Sequence, residues 1–246
     1  MSGHSKWSTI KHKKAATDKK RGKLYSKLAR AIMVAAKEGG ADPNGNAGLS
    51  NAIDKAKSYS LPKENIERAI QKGAGGSEGA GYETVVYEGF GPAGAAFVVE
   101  ALTDNRNRTA ANIRSIFTKV GSALGQPGSV AWKFDRKGVI VVEGVTDEDE
   151  LLLAAADAGA EDVEGEDGAF RVTTEPASLA EVRDALEAAG YEVTSAELTL
   201  LPKQLAEVDD DGARKVLRMV DLLDEDDDVQ EVFFDVEISE AVMAEH

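Results

Sequence analysis

The sequence predicts an α+β protein of several domains. A small N-terminal three-helix domain comes first, followed by two α/β sandwich domains, the last ferredoxin-like (βαββαβ) and inserted into the middle one. Three observations lead there. Apolar residues recur at three- and four-residue spacing from Lys23 to Lys72, the mark of amphipathic helices. After a Gly-rich stretch the period changes to that of strands. Residues 138–202 then run strand, helix, strand, strand, helix, strand, which is the order of a split βαβ sandwich.

The elements follow in order. Residues 1–22 show neither period and read as a basic arm. Leu24, Leu28, Ala31, Ile32 and Ala35 mark a first helix from Lys23, stopped by Gly39-Gly40. A second helix is expected from Leu49 to Ser58. A third, PKENIERAIQK, has Pro62 as its first residue and Gly73 as its stop. GAGGSEGAG, residues 73–81, has the composition of a hinge. It lacks the preceding strand and the Lys-Ser/Thr ending of a phosphate loop.

YETVVYEGF and GAAFVVEAL flank the turn GPA and read as a hairpin. Thr103-Asp104-Asn105 offers capping residues to a helix through NRTAANIRSIFTKVG. SVAWKF reads as a short strand, separated by Asp135, Arg136 and Lys137 from the strand GVIVVEG. Beyond Pro202 one helix (ARKVLRMVDLLDE) and one strand (VQEVFFDVEI) remain. Two elements cannot bury a core alone, so they are expected to return and complete the middle unit. The domains are therefore expected at 1–75, at 76–135 with 203–240, and at 136–202.

Charge divides the chain. The first thirty residues hold ten Lys or Arg against one acid, Asp18, while the whole chain carries −15. Residues 1–73 hold 16 basic and 6 acidic residues, which leaves 13 of the 29 basic and 38 of the 44 acidic residues for the remainder. An acidic body repels nucleic acid everywhere except at a basic end, which favours one oriented contact. In the arm and first helix the expected nucleic-acid-binding residues are His4, Lys6, Trp7, Lys11, His12, Lys13, Lys14, Lys19, Lys20, Arg21, Lys23, Lys27 and Arg30. Lysines suit phosphates, and Trp7 with the two histidines offers planar groups that stack on unpaired bases. A second surface is Arg106, Arg108, Arg114 and Lys119, with Arg106 and Arg108 at a helix start that welcomes phosphate. The other reading of these arginines is neutralisation of nearby acids such as Glu83, Glu88 or Glu100.

Other chemistries find little support. There is no Cys, which removes disulfides and thiolate chemistry. The three histidines are His4, His12 and His246, none in a setting that holds a general base rigidly. The acidic runs at 147–150, 209–211 and 224–228 read as solvated loops or helix ends rather than metal sites, and the last lacks the calcium-loop pattern. The expectation is a non-enzyme without metal, cofactor or small-molecule substrate. No apolar run reaches the roughly 18 residues that span a bilayer, so no membrane partner is expected and the cytoplasm is the expected compartment.

The stretches SGHSKWSTIKHKKAATDKKRGKLYSKLARAI, NAGLSNAIDKAKSYSLPKENIERAIQKG, YEGFGPAG, LTDNRNRTAANIRSIFTK and GSVAWKF together resemble the YebC/PmpR family. The likeness runs from residue 2 to about 240 and departs in the Ala-rich acidic region around 147–190. It implies a helical domain followed by two α/β domains, cytoplasmic location and no catalysis. Members are labelled probable DNA-binding transcriptional regulators, while a mitochondrial relative activates translation. The resemblance thus implies a regulator of gene expression whose target is DNA or, alternatively, ribosomal RNA. Helix-turn-helix signatures are absent, and Lys dominance in the arm favours phosphate contact over base-edge readout.

Overall fold

A computed structural model describes residues 18–75, 81–166 and 169–245. Three helices open it: α1 (Asp18–Gly39), α2 (Ala47–Ser58) and α3 (Lys63–Ala74). Their apolar stripes meet in one core of Leu28, Ile32, Ala36, Leu49, Ile53, Ala56, Leu61, Ile66 and Ala69. Asn46 fixes the α1–α2 corner. Its Oδ1 accepts from the Leu49 N–H as an N-cap, and its Nδ2 donates to the carbonyls of Ala35 and Gly40.

Two expectations need correction here. The first helix is already present at Asp18, the first described residue and five before Lys23, so part of the expected arm is helical. Lys and Arg are good helix formers by intrinsic propensity, which a reading based on apolar spacing alone does not register. Gly73 does not stop α3, which continues to Ala74. It is buried against α1, where a Cβ would collide with the Met33 carbonyl. Close helix approach, not termination, is what this glycine provides.

The next unit is a four-stranded antiparallel sheet of order β3-β1-β2-β8. Its strands are β1 (Glu83–Phe90), β2 (Ala96–Thr103), β3 (Ala123–Leu124) and β8 (Val229–Phe234). Helices α4 (Arg106–Lys119) and α7 (Asp210–Asp224) pack on one face, with the short α8 (Glu240–Glu245) beside α7. The core here is the largest, built on Phe97, Ile113, Phe117, Leu217, Met219, Leu223 and Phe234. Phe97 meets Phe117 edge-on at 6.4 Å and Phe234 at 6.0 Å. β8 pairs with β2, so the C-terminal segment closes this sheet as the leftover elements required.

Between β3 and α7 the chain makes the second sheet, of order β5-β6-β4-β7, from β4 (Phe134–Glu143), β5 (Asp162–Glu166), β6 (Ala169–Thr174) and β7 (Glu192–Pro202). With α5 (Glu148–Asp157) and α6 (Leu179–Ala188) this is the ferredoxin-like sandwich, inserted into the middle unit. Its core is Ile140, Val142, Leu151, Ala155, Val172, Leu179, Val182 and Leu186. The two α/β units also share a small apolar cluster of Ala96, Val98, Val130, Phe134 and Phe233, with Leu200 of β7 packed on it.

SVAWKF is not a strand. Ala131–Lys133 is a single 3-10 turn, and β4 runs without a break from Phe134 through Asp135, Arg136 and Lys137. The reason is Glu88 of β1. Its carboxylate accepts from the backbone N–H groups of Gly128, Val130 and Ala131 at 2.7–2.9 Å, groups that a strand would give to a ladder. Burial works to raise the Glu88 carboxyl, but those three N–H donors outweigh it and hold it below the usual range.

Candidate nucleic-acid interface

Along α1 the cations Lys23, Lys27 and Arg30 fall at four- and three-residue spacing, one stripe of the helix. They do not face solvent freely. Lys23 Nζ donates to the Glu225 carbonyl at 2.9 Å, Lys27 Nζ to the Asp224 carbonyl at 2.8 Å, and an Arg30 Nη to the Asp227 carbonyl at 2.7 Å. Carboxylates add to this. Asp227 lies 3.5 Å from Lys23, and Asp228 lies 3.8 Å from Arg30. Arg30 also stacks over the Tyr82 ring, 5.2 Å from its centre.

The physical cause is the C-terminus of α7. A helix end carries unsatisfied carbonyls and a partial negative charge. The last turn of α7 holds no basic residue of its own. Its sequence there, Asp221 to Asp224 and on through Asp228, adds formal negative charge to the dipole's negative end. That local conflict is relieved by cations from α1. It was also the one sequence signal that could have located this contact.

Asp228 anchors the acidic side. The side chain is only 8% exposed, so the expectation of a uniformly solvated 224–228 loop is corrected at this residue. Its Oδ2 accepts from Arg108 Nη2 and Thr109 Oγ1, both at 2.7 Å, and from Thr103 Oγ1 at 3.3 Å. Burial tends to raise the carboxyl, yet the bonds from Arg108 and Thr109 hold it below the usual carboxylate range.

The other expected residues are placed as follows. His4, Lys6, Trp7, Lys11, His12, Lys13 and Lys14 lie outside the described residues. Lys19, Lys20 and Arg21 fall within α1, on the same helix as the stripe. Arg108 binds Asp228 and Asp104, and the hydrogen bonds it donates to these two carboxylates raise its guanidinium further. Arg106 sits 3.6 Å from Glu83 with its side chain 65% exposed. Arg106 and Arg114 flank Tyr87, whose hydroxyl is pushed up by burial. Arg114 and Lys119 are exposed on α4. The structure thus gives Arg108 a neighbour-neutralising part, with Asp104 and Asp228 as the acids.

Residues 5–76 match the family described as TACO1/YebC protein N-terminal domain, and residues 82–236 match TACO1/YebC second and third domain. The chain belongs to the TACO1/YebC family. Its similarity to curated relatives covers nearly the whole of each chain. It is 53% identical over 243 residues to the probable transcriptional regulatory protein of Geotalea uraniireducens (strain Rf4), covering 99% of this chain and 98% of that one. To the probable transcriptional regulatory protein of Rubrobacter xylanophilus it is 54% identical over 247 residues, covering 100% and 99%. A crystal structure of a conserved hypothetical protein, Aq1575, from Aquifex aeolicus superposes with a TM-score of 0.81 at 45% identity, over 91% of this chain and 93% of that one. Relatives named as regulators support a regulatory role for this TACO1/YebC member. Among the described residues no helix is long and apolar enough to cross a membrane, and no group of three His, Asp or Glu stands ready for a metal ion.

Proposed function

We propose that this protein is a non-enzymatic, cytoplasmic regulator of gene expression that binds DNA through its basic N-terminal region. One observation carries the reading. Ten of the first thirty residues are Lys or Arg in a chain of net charge −15, and that stretch continues into a basic helical stripe. The division at 1–75, 76–135 with 203–240, and 136–202 belongs to the same proposal. In it, the first unit makes contact while the two acidic units orient it and repel nonspecific nucleic acid. Arg106, Arg114 and Lys119 form a secondary contact on α4.

Ribosomal RNA is the alternative target. Lys outnumbers Arg in the arm, and Trp7 stands among the lysines. That composition suits phosphate contact and stacking on unpaired bases better than base-edge reading in a groove. Ultraviolet crosslinking in cells, followed by sequencing of the attached nucleic acid, separates the two. Promoter DNA is the expected recovery. Ribosomal RNA without promoter DNA rejects the transcriptional reading in favour of the translational one, and recovery of neither rejects both.

A further inference from the structure

The basic stripe already has an anionic occupant. We propose that the acidic segment Asp224–Asp228 is an internal stand-in for a phosphate backbone, so that nucleic acid gains Lys23, Lys27 and Arg30 only by displacing it. This inference rests on the nucleic-acid reading of the N-terminal region and adds its regulation.

The contact has the chemistry of a phosphate clamp. Three cations meet the carbonyl oxygens of Asp224, Glu225 and Asp227, at and just past a helix's negative end, with two carboxylates beside them. Phosphate oxygens offer the same cations an equivalent set of acceptors, so exchange replaces one ionic set by another. The acceptor side is built to persist without α1. Asp228 stays held by Arg108, Thr109 and Thr103, and its backbone carbonyl accepts from the Leu102 N–H at 2.7 Å.

The helical body is also joined in a way that permits parting. Every residue of its apolar core, including the partly buried residues packed against it, lies between Leu24 and Ile70. By contrast the two α/β units share apolar residues. Among the described residues, the helical body's ionic links to the remainder lie at the surface of its core rather than within it. Beyond the α1 clasp, Asp54 of α2 meets Arg183 at 2.7 Å, and Lys55 meets Glu231 at 2.6 Å and Glu197 at 3.1 Å. Because α1 and α2 share one core, freeing the stripe moves the whole helical body and breaks these links together. Apparent affinity then equals intrinsic affinity reduced by the fraction of open molecules. The stripe joins the contact only after this opening.

The absence of Cys allows a clean test. Ser26→Cys on α1 and Glu225→Cys after α7 place thiols on exposed positions beside the clasp without removing its cations. The double variant is either bridged by a short bismaleimide or capped on both thiols with N-ethylmaleimide. Coincident thermal unfolding with the parent chain establishes that the capped form is folded. Binding of a fluorescent RNA hairpin and of a DNA duplex is then titrated across salt. The bridged form is expected to bind about tenfold or more weakly than the capped form. Its salt slope should be shallower by about 2–3, the share of three lost phosphate contacts. Equal affinity and slope in the two forms overturn the occupancy proposal and leave arm-mediated binding standing. Tighter binding by the bridged form also overturns it, making the docked state the binding one. Failure of both forms to bind overturns the nucleic-acid reading together with its regulation.

Discussion

Asp228→Ala is expected to lower the free energy of unfolding by about 2–4 kcal/mol. The carboxylate takes three side-chain donors on one oxygen, so its loss leaves Thr103 short of an acceptor and Arg108 without its closest acid, while Thr109 turns to the Asn105 carbonyl. The figure stays below that of a fully buried pair because Arg108 keeps 46% of its side-chain surface and turns to water. Acid should reveal the same group. The native carboxyl sits below its usual value, so its stabilisation is complete above the unfolded value of about 3.9 and fades as pH falls through the lower native value. Urea titration of the parent and of Asp228→Asn between neutral pH and pH 3 checks this. The variant should be weaker at neutral pH, and the gap should narrow in acid. A gap that holds constant to the lowest pH contradicts the assignment.

Lys55→Met is expected to cost about 2–3 kcal/mol, most of it from carboxylates left without a cation. Glu100 of β2 and Glu231 of β8 stand directly opposite each other, a like-charge pair. Burial and Glu231 push the Glu100 carboxyl up. Lys55 reaches in from α2 to Glu231 and Glu197. Burial works against its ammonium, but those two carboxylates dominate and hold it well above the usual lysine range. With a raised cation the sign is opposite to that of Asp228. The stabilisation is complete below the unfolded value of about 10.4 and disappears only as pH rises through the higher native one. Met keeps the apolar stem, so the loss reports charge. Partial exposure of all three side chains, 19–27%, keeps the estimate under the buried-pair range. Urea midpoints at neutral pH measure it, and an unchanged midpoint refutes the pairing.

Much of this fold was legible because period and order are local properties. The stripes at Leu28, Ile32, Leu49, Ile53 and Ile66 are the helical core, and they were visible as spacing. The βαββαβ order was readable, and the two leftover elements demanded a partner sheet, which β2 supplies. What was hidden depends on distant residues. Glu88 of β1 takes the backbone donors of Gly128, Val130 and Ala131, so an apolar run that looks like a strand becomes a turn. Gly73 looked like a helix stop because its neighbour on α1 is not written next to it.

The candidate site divides along the same line. Its charge was plain in composition, since Lys and Arg crowd one end of an acidic chain. Its present partner was not, because Asp224–Asp228 follows Lys23 by some two hundred positions. An acidic run read alone is a solvated loop. Set on the last turn of a helix with no basic residue, it becomes a demand for cations that only another part of the chain meets.

The most direct measurement is the salt dependence of nucleic-acid affinity with the arm neutralised. Lys11, Lys13, Lys14, Lys19, Lys20 and Arg21 are changed together to Gln, and binding to RNA hairpin and DNA duplex is titrated against the parent chain. If each of the six touches a phosphate, the slope of log affinity against log salt flattens by about 4–5, from roughly 0.7–0.9 per contact, and affinity falls steeply at low salt. Affinity and slope equal to those of the parent would contradict a basic N-terminal region as the nucleic-acid contact.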